Sequence, residues 1–291
     1  MTQPQRVVTD TMAGLKLPDF DTWSGRVATV LGQNPGPFTG PGTNTYLVGT
    51  SKRPLLLDTG IGLEVYDPLL EQGLSETKGA NELQEIVLTH VHQDHIGGVP
   101  NVQKRFGELS VSKHRWPEKD RAYDFPLTYI EDGATIETDG ATLHAIHTPG
   151  HAKDHLCYYL EEEKALFTGD LVLGAGTTVV PEEGGGLIDY MASLRKLLDL
   201  DLSVIYPAHG PAIREPYKKL NAYIAHRELR EQQVLDALDA GLTRIPDMVK
   251  RIYVDVPEFL HAAAGNSVQS HLIKLEKEGV VKNEGEEWAL A

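Results

Sequence analysis

The sequence predicts an α/β protein: two sheets covered by helices, then a smaller unit of three helices and a hairpin. Three observations carry this expectation. Between residues 25 and 215, short apolar runs of strand length are many and amphipathic helical spacings are few, which favours two stacked sheets over one doubly wound sheet. Polar residues with metal-binding chemistry recur where these runs end, at His90, His151, Asp170 and His209. From Pro216 onward the texture changes to long helical spacings.

In chain order, residues 1–24 read as a loose leader. Met1–Gly14 is polar and has neither the basic start and apolar core of a signal peptide nor the Arg-rich, acid-poor character of a transit peptide. Val27–Leu31 is the first strand, and the Gly- and Pro-rich stretch from Gly32 to Gly42 is a loop. Asn44–Val48 and Pro54–Asp58 are short strands, and Val65 to Glu71 has helical spacing at Val65, Leu69 and Leu70. Ile86-Val87-Leu88 is a buried strand that delivers His90. Leu109–Ser112, Leu127–Ile130 and Thr142–His147 are further strands, the last leading into Thr148-Pro149-Gly150-His151. Leu156–Leu160 and Ala165–Thr168 form a pair that ends in Thr168-Gly169-Asp170. Leu187, Met191, Leu194 and Leu198 form the stripe of an amphipathic helix. Ser203–Tyr206 is a strand that runs into Pro207-Ala208-His209-Gly210.

Lys218 to Ala240 reads as one helix with apolar clusters at each end and a polar middle, His226 to Gln233, that suits a solvated face. Ile245–Tyr253 and Asn266–Glu278 are two more helices, and Val280-Val281 with Glu287–Leu290 suits a hairpin. Helix, helix, helix, hairpin is the outline of a winged helix. The expected division is a leader over 1–24, a catalytic domain over 25–215 and a C-terminal unit over 216–291.

Composition narrows the function classes. No apolar run approaches the ~20 residues that span a bilayer, so no membrane association is expected. Cys157 is the only cysteine, so no intrachain disulfide forms, in agreement with a reducing compartment. It sits in an alternating run and reads as a core thiol. The default location is cytoplasmic, with the mitochondrial matrix as the alternative for a eukaryotic chain. The net charge is −15; residues 216–291 carry 10 Lys+Arg against 12 Asp+Glu, which leaves −13 for residues 1–215. Nonspecific nucleic-acid affinity comes mostly from Lys and Arg, so this balance weighs against tight polyanion binding, although bound metals offset some charge locally.

The densest chemistry lies in Thr89-His90-Val91-His92-Gln93-Asp94-His95-Ile96-Gly97-Gly98. On an extended segment His90 and His92 point the same way, because side chains repeat every two residues. A following turn brings Asp94 and His95 to a neighbouring position, with Gly97 and Gly98 letting backbones pack behind it. That suits two metal ions side by side.

With His151 after Pro-Gly, Asp170 in Thr-Gly-Asp and His209 in Ala-His-Gly, the pattern resembles the metallo-β-lactamase superfamily of metal-dependent hydrolases. The resemblance implies an αββα sandwich with the metals at one edge of the paired sheets. It implies that His90, His92 and His151 hold the first metal, that Asp94, His95 and His209 hold the second, and that Asp170 bridges them. Asp58 would orient the site as a buried carboxylate behind the ligands. Over nearly the whole chain, Asn34–Thr39, Gly42–Thr50, Gly174–Thr178, Tyr223–Gln233 and Leu272–Gly279 resemble the β-lactamase-like protein 2 group. That group includes a mitochondrial single-stranded-RNA endonuclease, and related fungal proteins are thioesterases acting on carrier-bound polyketides. Gly40-Pro41 stands where those relatives often carry Leu-Gln, in a loop that borders the site in the family.

Nitrogen and oxygen donors without thiolate suit two Zn²⁺ and tolerate Mn²⁺ or Fe²⁺. Water activated there loses a proton near pH ~7, and the hydroxide attacks a carbonyl carbon or a phosphorus. Asp94 is placed to accept a hydrogen bond from it. Asn44, Tyr46, Thr177 and Thr178 are weaker candidates for donating to a substrate oxygen, with packing or turn roles as competitors. Arg227 and Arg230 are candidates for a phosphate or carboxylate. Phosphodiester cleavage of single-stranded RNA ranks slightly ahead of carboxyl ester or thioester hydrolysis of the carrier-protein or glyoxalase II type. β-Lactam hydrolysis and a non-hydrolytic di-iron protein rank lower, the latter because no flavodoxin-like or dinucleotide fingerprint appears. The C-terminal unit is expected to pack or dimerise, so a homodimer is one assembly this reading allows.

Overall fold

Phe20–Thr22 (β1) pairs antiparallel with Val27–Leu31 (β2), Phe20 opposite Val30, so part of the supposed loose leader is an edge strand. A computed structural model describes residues 12, 14–254, 256, 258 and 261–291; the rest of the leader, residues 1–11 and 13, lies outside the described residues. The first sheet continues in sequence order through Asn44–Val48 (β3), Leu55–Leu57 (β4), Ile86–Val87 (β5), Val111–Lys113 (β6) and Thr128–Tyr129 (β7). β2, β3 and β4 are antiparallel, whereas β4 through β7 run parallel. Helices Tyr66–Lys78 (α1), Gln93–Ile96 (α2), Val99–Phe106 (α3) and Pro117–Asp120 (α4) fill the connections. α1 is longer than the spacing at 65–70 suggests because Leu74, one turn beyond Leu70, is also buried, and both sit on the face that packs on β1 and β2.

The second sheet contains Thr135–Thr138 (β8), Ala141–His147 (β9), Leu156–Leu160 (β10), Ala165–Gly169 (β11) and Val204–Pro207 (β12), in the order β12-β11-β10-β9-β8. Only β11 and β12 pair in parallel. Two elements were invisible in the apolar pattern. β8 alternates exposed and half-buried residues at the sheet edge, with Ile136 its single apolar side chain, and α3 buries only Val99 and Val102.

Inner faces of the two sheets share one core, with Val27, Tyr46, Leu55 and Val87 from the first and Leu143, Tyr158, Phe167 and Tyr206 from the second. Each fully buried large side chain of this kind contributes roughly 1.5–3 kcal/mol. Parallel pairing has a directional consequence. β4 and β5 end together, so Asp58 and Leu88-Thr89-His90 emerge side by side, and β11 and β12 do the same for Asp170 and His209. Cys157 lies in β10, fully buried, as a core thiol.

The chain divides into two compact units: the first takes residues up to 148, 154–178 and 200–217, and the second 149–153, 179–199 and 218–291. Within the second are Gly186–Leu197 (α5), most of Pro216–Asp239 (α6), Ile245–Ile252 (α7), His261–Lys277 (α8), and the hairpin Val281–Glu284 (β13) with Glu287–Leu290 (β14). Val234, Leu238, Met248, Val268, Leu272 and Trp288 form its core. The polar middle of α6 is not a solvated face. Arg227 is only 5% exposed, with its guanidinium 5.2 Å from the centre of the Tyr190 ring. Arg230 lies over Tyr253 at 4.4 Å, and its Nη1 donates to Gln233 Oε1 at 2.8 Å and the Ile252 carbonyl at 3.3 Å.

This packing has an acid-sensitivity consequence. Burial, then the charges of Arg227, Arg230 and His271, push His226 down to about 3. The unfolded chain takes up this proton near pH ~6.5 while the folded chain refuses it, so stability falls as pH drops below ~6.5, by roughly 1 kcal/mol per pH unit. Denaturant unfolding between pH ~7 and ~5 checks this; His226→Gln is expected to flatten the slope, and an unchanged slope contradicts the assignment.

Candidate metal centre

The first unit brings His90, His92, Asp94, His95, Asp170 and His209 to the strand ends of its paired sheets. His90 follows β5, and its Nδ1 lies 3.0 Å from Thr89 Oγ1, which in turn donates to Asp58 Oδ2 at 2.9 Å. That chain puts the ring proton of His90 on Nδ1 and leaves Nε2 with its lone pair. Nε2 stands 2.9 Å from Nδ1 of His92, so the two lone-pair positions converge, as the alternation along an extended segment requires.

α2 then turns the chain back. Gly98 makes the turn possible, since a Cβ there would lie 2.1 Å from the Thr59 carbonyl oxygen. His95 is fully buried. Its Nδ1 pairs with Asp58 Oδ2 at 2.9 Å, and its Nε2 makes no hydrogen bond to any described residue. That nitrogen lies 3.5 Å from both Asp94 Oδ2 and Asp170 Oδ1. His209 Nε2 lies 3.3 Å from Asp94 Oδ2 and 3.1 Å from Asp170 Oδ1, while its Nδ1 faces the Gly42 carbonyl at 3.3 Å.

These spacings fit a metal. Two ligand atoms about 2.1 Å from a tetrahedral ion stand about 3.4 Å apart. A buried imidazole nitrogen without a hydrogen bond otherwise costs desolvation energy. Electrostatics agree. Burial would raise both carboxyls, but His95 and His209 hold Asp94 and Asp170 well below the usual carboxylate range. Burial would lower the histidines, but Asp94, Asp58 and Asp170 lift His95, and Asp170 and Asp94 lift His209 to about 9. The cage is built to hold positive charge.

Asp58 accepts from the Thr89 N–H at 2.8 Å, the Thr89 hydroxyl at 2.9 Å and His95, and is held at φ 60° where β4 ends. His151 belongs to the second unit, where its Nδ1 lies 2.7 Å from the Val179 carbonyl. Asn44 and Tyr46 do not offer donors to a substrate oxygen as the sequence suggested. Asn44 Nδ2 donates to the Pro207 and Gly210 carbonyls at 2.9 and 2.8 Å, and the Tyr46 hydroxyl to Pro207 at 2.6 Å, so both clamp the loop that presents His209. Thr177 is half-buried and Thr178 buried. Arg227 and Arg230 are engaged within the second unit.

Three contributors escaped the sequence reading. His155 Nε2 accepts the Asp170 N–H at 3.1 Å while its Nδ1 bonds Thr148 Oγ1 at 2.8 Å, which fixes the backbone of Asp170. Gly169 leaves room for that ring: a Cβ there would lie 2.6 Å from His155 Nε2. Thr43 Oγ1 donates to Asp94 Oδ2 at 3.3 Å, and Thr89 links Asp58 to His90. The signal available was a polar residue immediately before a strand, at His155 and Thr43.

Comparison with known proteins agrees with this geometry. Residues 38–209 match the metallo-beta-lactamase superfamily model, and residues 245–288 match the beta-lactamase associated winged helix domain. The chain is 41% identical to a Beta-lactamase-like protein 2 homolog of Caenorhabditis elegans, over 89% of this chain and 87% of that protein. It is 44% identical to the atrochrysone carboxyl ACP thioesterase AgnL7 of Paecilomyces divaricatus, over 77% of this chain and 68% of that protein. The crystal structure of a metallo-beta-lactamase family protein from Thermus thermophilus superposes with a TM-score of 0.75 at 24% identity, covering 93% of this chain and 100% of that one.

Proposed function

The chain belongs to the metallo-beta-lactamase superfamily and is one of its hydrolases, with a C-terminal winged helix domain, and from that premise we propose that it is a dinuclear zinc hydrolase of carboxyl thioesters. The observation that carries the chemistry is the buried His95 nitrogen, without a hydrogen bond, facing two carboxylates at 3.5 Å. The thioester assignment draws support from relatives named as acyl-carrier-protein thioesterases. It draws more from the net charge of −15 and from the engagement of Arg227 and Arg230, the two cations singled out for a phosphate. Single-stranded RNA cleavage, ranked ahead on sequence, therefore becomes the competing outcome.

In this reading His90, His92 and His151 would hold one ion, Asp94, His95 and His209 the other, and Asp170 would serve both. The ions supply Lewis acidity and a water of low pKa. Asp58 fixes His95 in the tautomer with its proton on Nδ1, and Asp94 would accept a hydrogen bond from a water held there. His155 holds Asp170 in place through its N–H. The catalytic domain over 25–215 and the C-terminal unit over 216–291 belong to the same proposal. No helix among the described residues is long and apolar enough to cross a membrane.

The test is a parallel assay of zinc-reconstituted protein on an acyl thioester, a single-stranded RNA, bis-p-nitrophenyl phosphate and a chromogenic cephalosporin. Turnover of the thioester alone is expected. RNA and phosphodiester cleavage without thioester turnover would replace this reading with the nuclease one.

A further inference from the structure

On the other side of Asn44 lies a cleft of about 300 Å³ that the proposed reaction does not use. Trp23, Pro211 and Ala212 supply its apolar wall, Asn44 and Thr29 its base, and Asp21 and Arg214 its rim. Base and rim are distinguished by burial: Asn44 is 1% and Thr29 4% exposed, whereas Asp21 and Arg214 are open to solvent. Both base residues carry a buried oxygen without a hydrogen-bond partner among the described residues, Asn44 Oδ1 and Thr29 Oγ1. The orientation of the Asn44 amide is fixed, because Nδ2 donates to two carbonyls, so the oxygen facing away from them is a pure acceptor. A buried acceptor of this kind costs free energy until a donor reaches it.

We propose that this cleft is an accessory site for a small planar molecule, a phenol or aromatic amine, whose O–H or N–H donates to Asn44 Oδ1 and whose oxygen or nitrogen pairs with the Thr29 hydroxyl while its ring lies against Trp23. The volume matches the lower end of small-molecule sites. One acidic and one basic residue at the rim offset each other, so selection falls on the donor at the base, not on net charge. Trp23 is a rigid wall, its ring held against Tyr46 at 5.4 Å and Tyr206 at 5.3 Å. The occupant touches the same Asn44 whose amide nitrogen clamps Pro207 and Gly210 on either side of His209.

The experiment titrates ¹⁵N-labelled full-length protein with phenol, aniline and anisole and follows the indole N–H of its three tryptophans. The Trp23 signal is assigned from a Trp23→Phe sample. Phenol and aniline are expected to shift that signal alone, and anisole, which keeps the shape but lacks the donor, to bind about tenfold more weakly. Thr29→Val removes a hydroxyl that has no partner among the described residues. It is therefore expected to melt at or above the wild-type temperature while losing about threefold to tenfold in phenol affinity. Equal binding of phenol and anisole, binding of neither, or undiminished phenol affinity in Thr29→Val would each overturn the proposal.

Discussion

Asp170→Ala is expected to reduce kcat/KM by more than about a thousandfold and to leave the protein with at most one retained metal per chain. The magnitude follows from position. Residues that only orient a ligand typically cost 10–100-fold in metal affinity or activity when removed, roughly, and Asp170 is no such outlying partner. Its Oδ1 lies 3.5 Å from His95 Nε2 and 3.1 Å from His209 Nε2. Without this carboxylate His209 keeps only Asp94 as a charge partner in the site, and His95 keeps Asp94 and Asp58. Asp170→Asn separates charge from shape, because it keeps the side-chain volume and the backbone N–H bond to His155. Metal content by atomic emission, thermal melting and steady-state kinetics on the two variants check the expectation. Two retained metals with wild-type turnover would remove Asp170 from the site.

The cluster of His90, His92, Asp94, His95, Asp170 and His209 was legible because its chemistry is local in sequence. Three histidines and a carboxylate packed into the six residues 90–95 after a strand have no packing use, and the later candidates each follow an apolar run. What holds those ligands in place was not legible, because it depends on which strands lie side by side. His155 reaches Asp170 only because β10 and β11 are neighbours, and Thr43 reaches Asp94 only because β3 starts beside the His209 loop. The same limit explains Asn44 and Tyr46. Both stand in a segment near the site, but their partners, Pro207 and Gly210, are more than 160 residues away along the chain. Arg227 and Arg230 misled for a different reason: a run of polar residues on a helix reads as solvated unless aromatic rings are known to cover it, and Tyr190 and Tyr253 do. α3 and β8 were missed because a short helix with two buried residues and a polar edge strand leave too little periodicity to detect.

Lys113→Met is expected to be the most destabilising single change outside the ligands, at about 3–5 kcal/mol near neutral pH, the usual cost of stripping one partner from a buried ion pair. Lys113 sits at the end of β6 with no exposed surface, and its Nζ lies 2.7 Å from Asp120 Oδ1 and 2.8 Å from Asp154 Oδ2. A methionine keeps the stem's volume but leaves two buried carboxylates facing a thioether. Burial already raises Asp154 above the ordinary value, and Lys113 is the nearest opposing influence. Its removal raises Asp154 further, so the folded variant binds a proton that the unfolded chain binds only near pH ~4. The sign is then fixed: the folded state takes up more protons than the unfolded one as pH falls, so the variant's deficit relative to wild type narrows from pH ~7 toward ~5. Adding Asp120→Asn and Asp154→Asn to Lys113→Met is expected to restore much of the loss, because uncharged amides need no counter-ion. Denaturant unfolding of the three proteins across that range decides the matter. A deficit below about 1 kcal/mol, or one that widens on acidification, would mean that the triad is solvated and its charges screened. The functional stake is adjacent in sequence. Asp154 precedes His155, so loosening this ion cluster also loosens the imidazole that holds the Asp170 backbone.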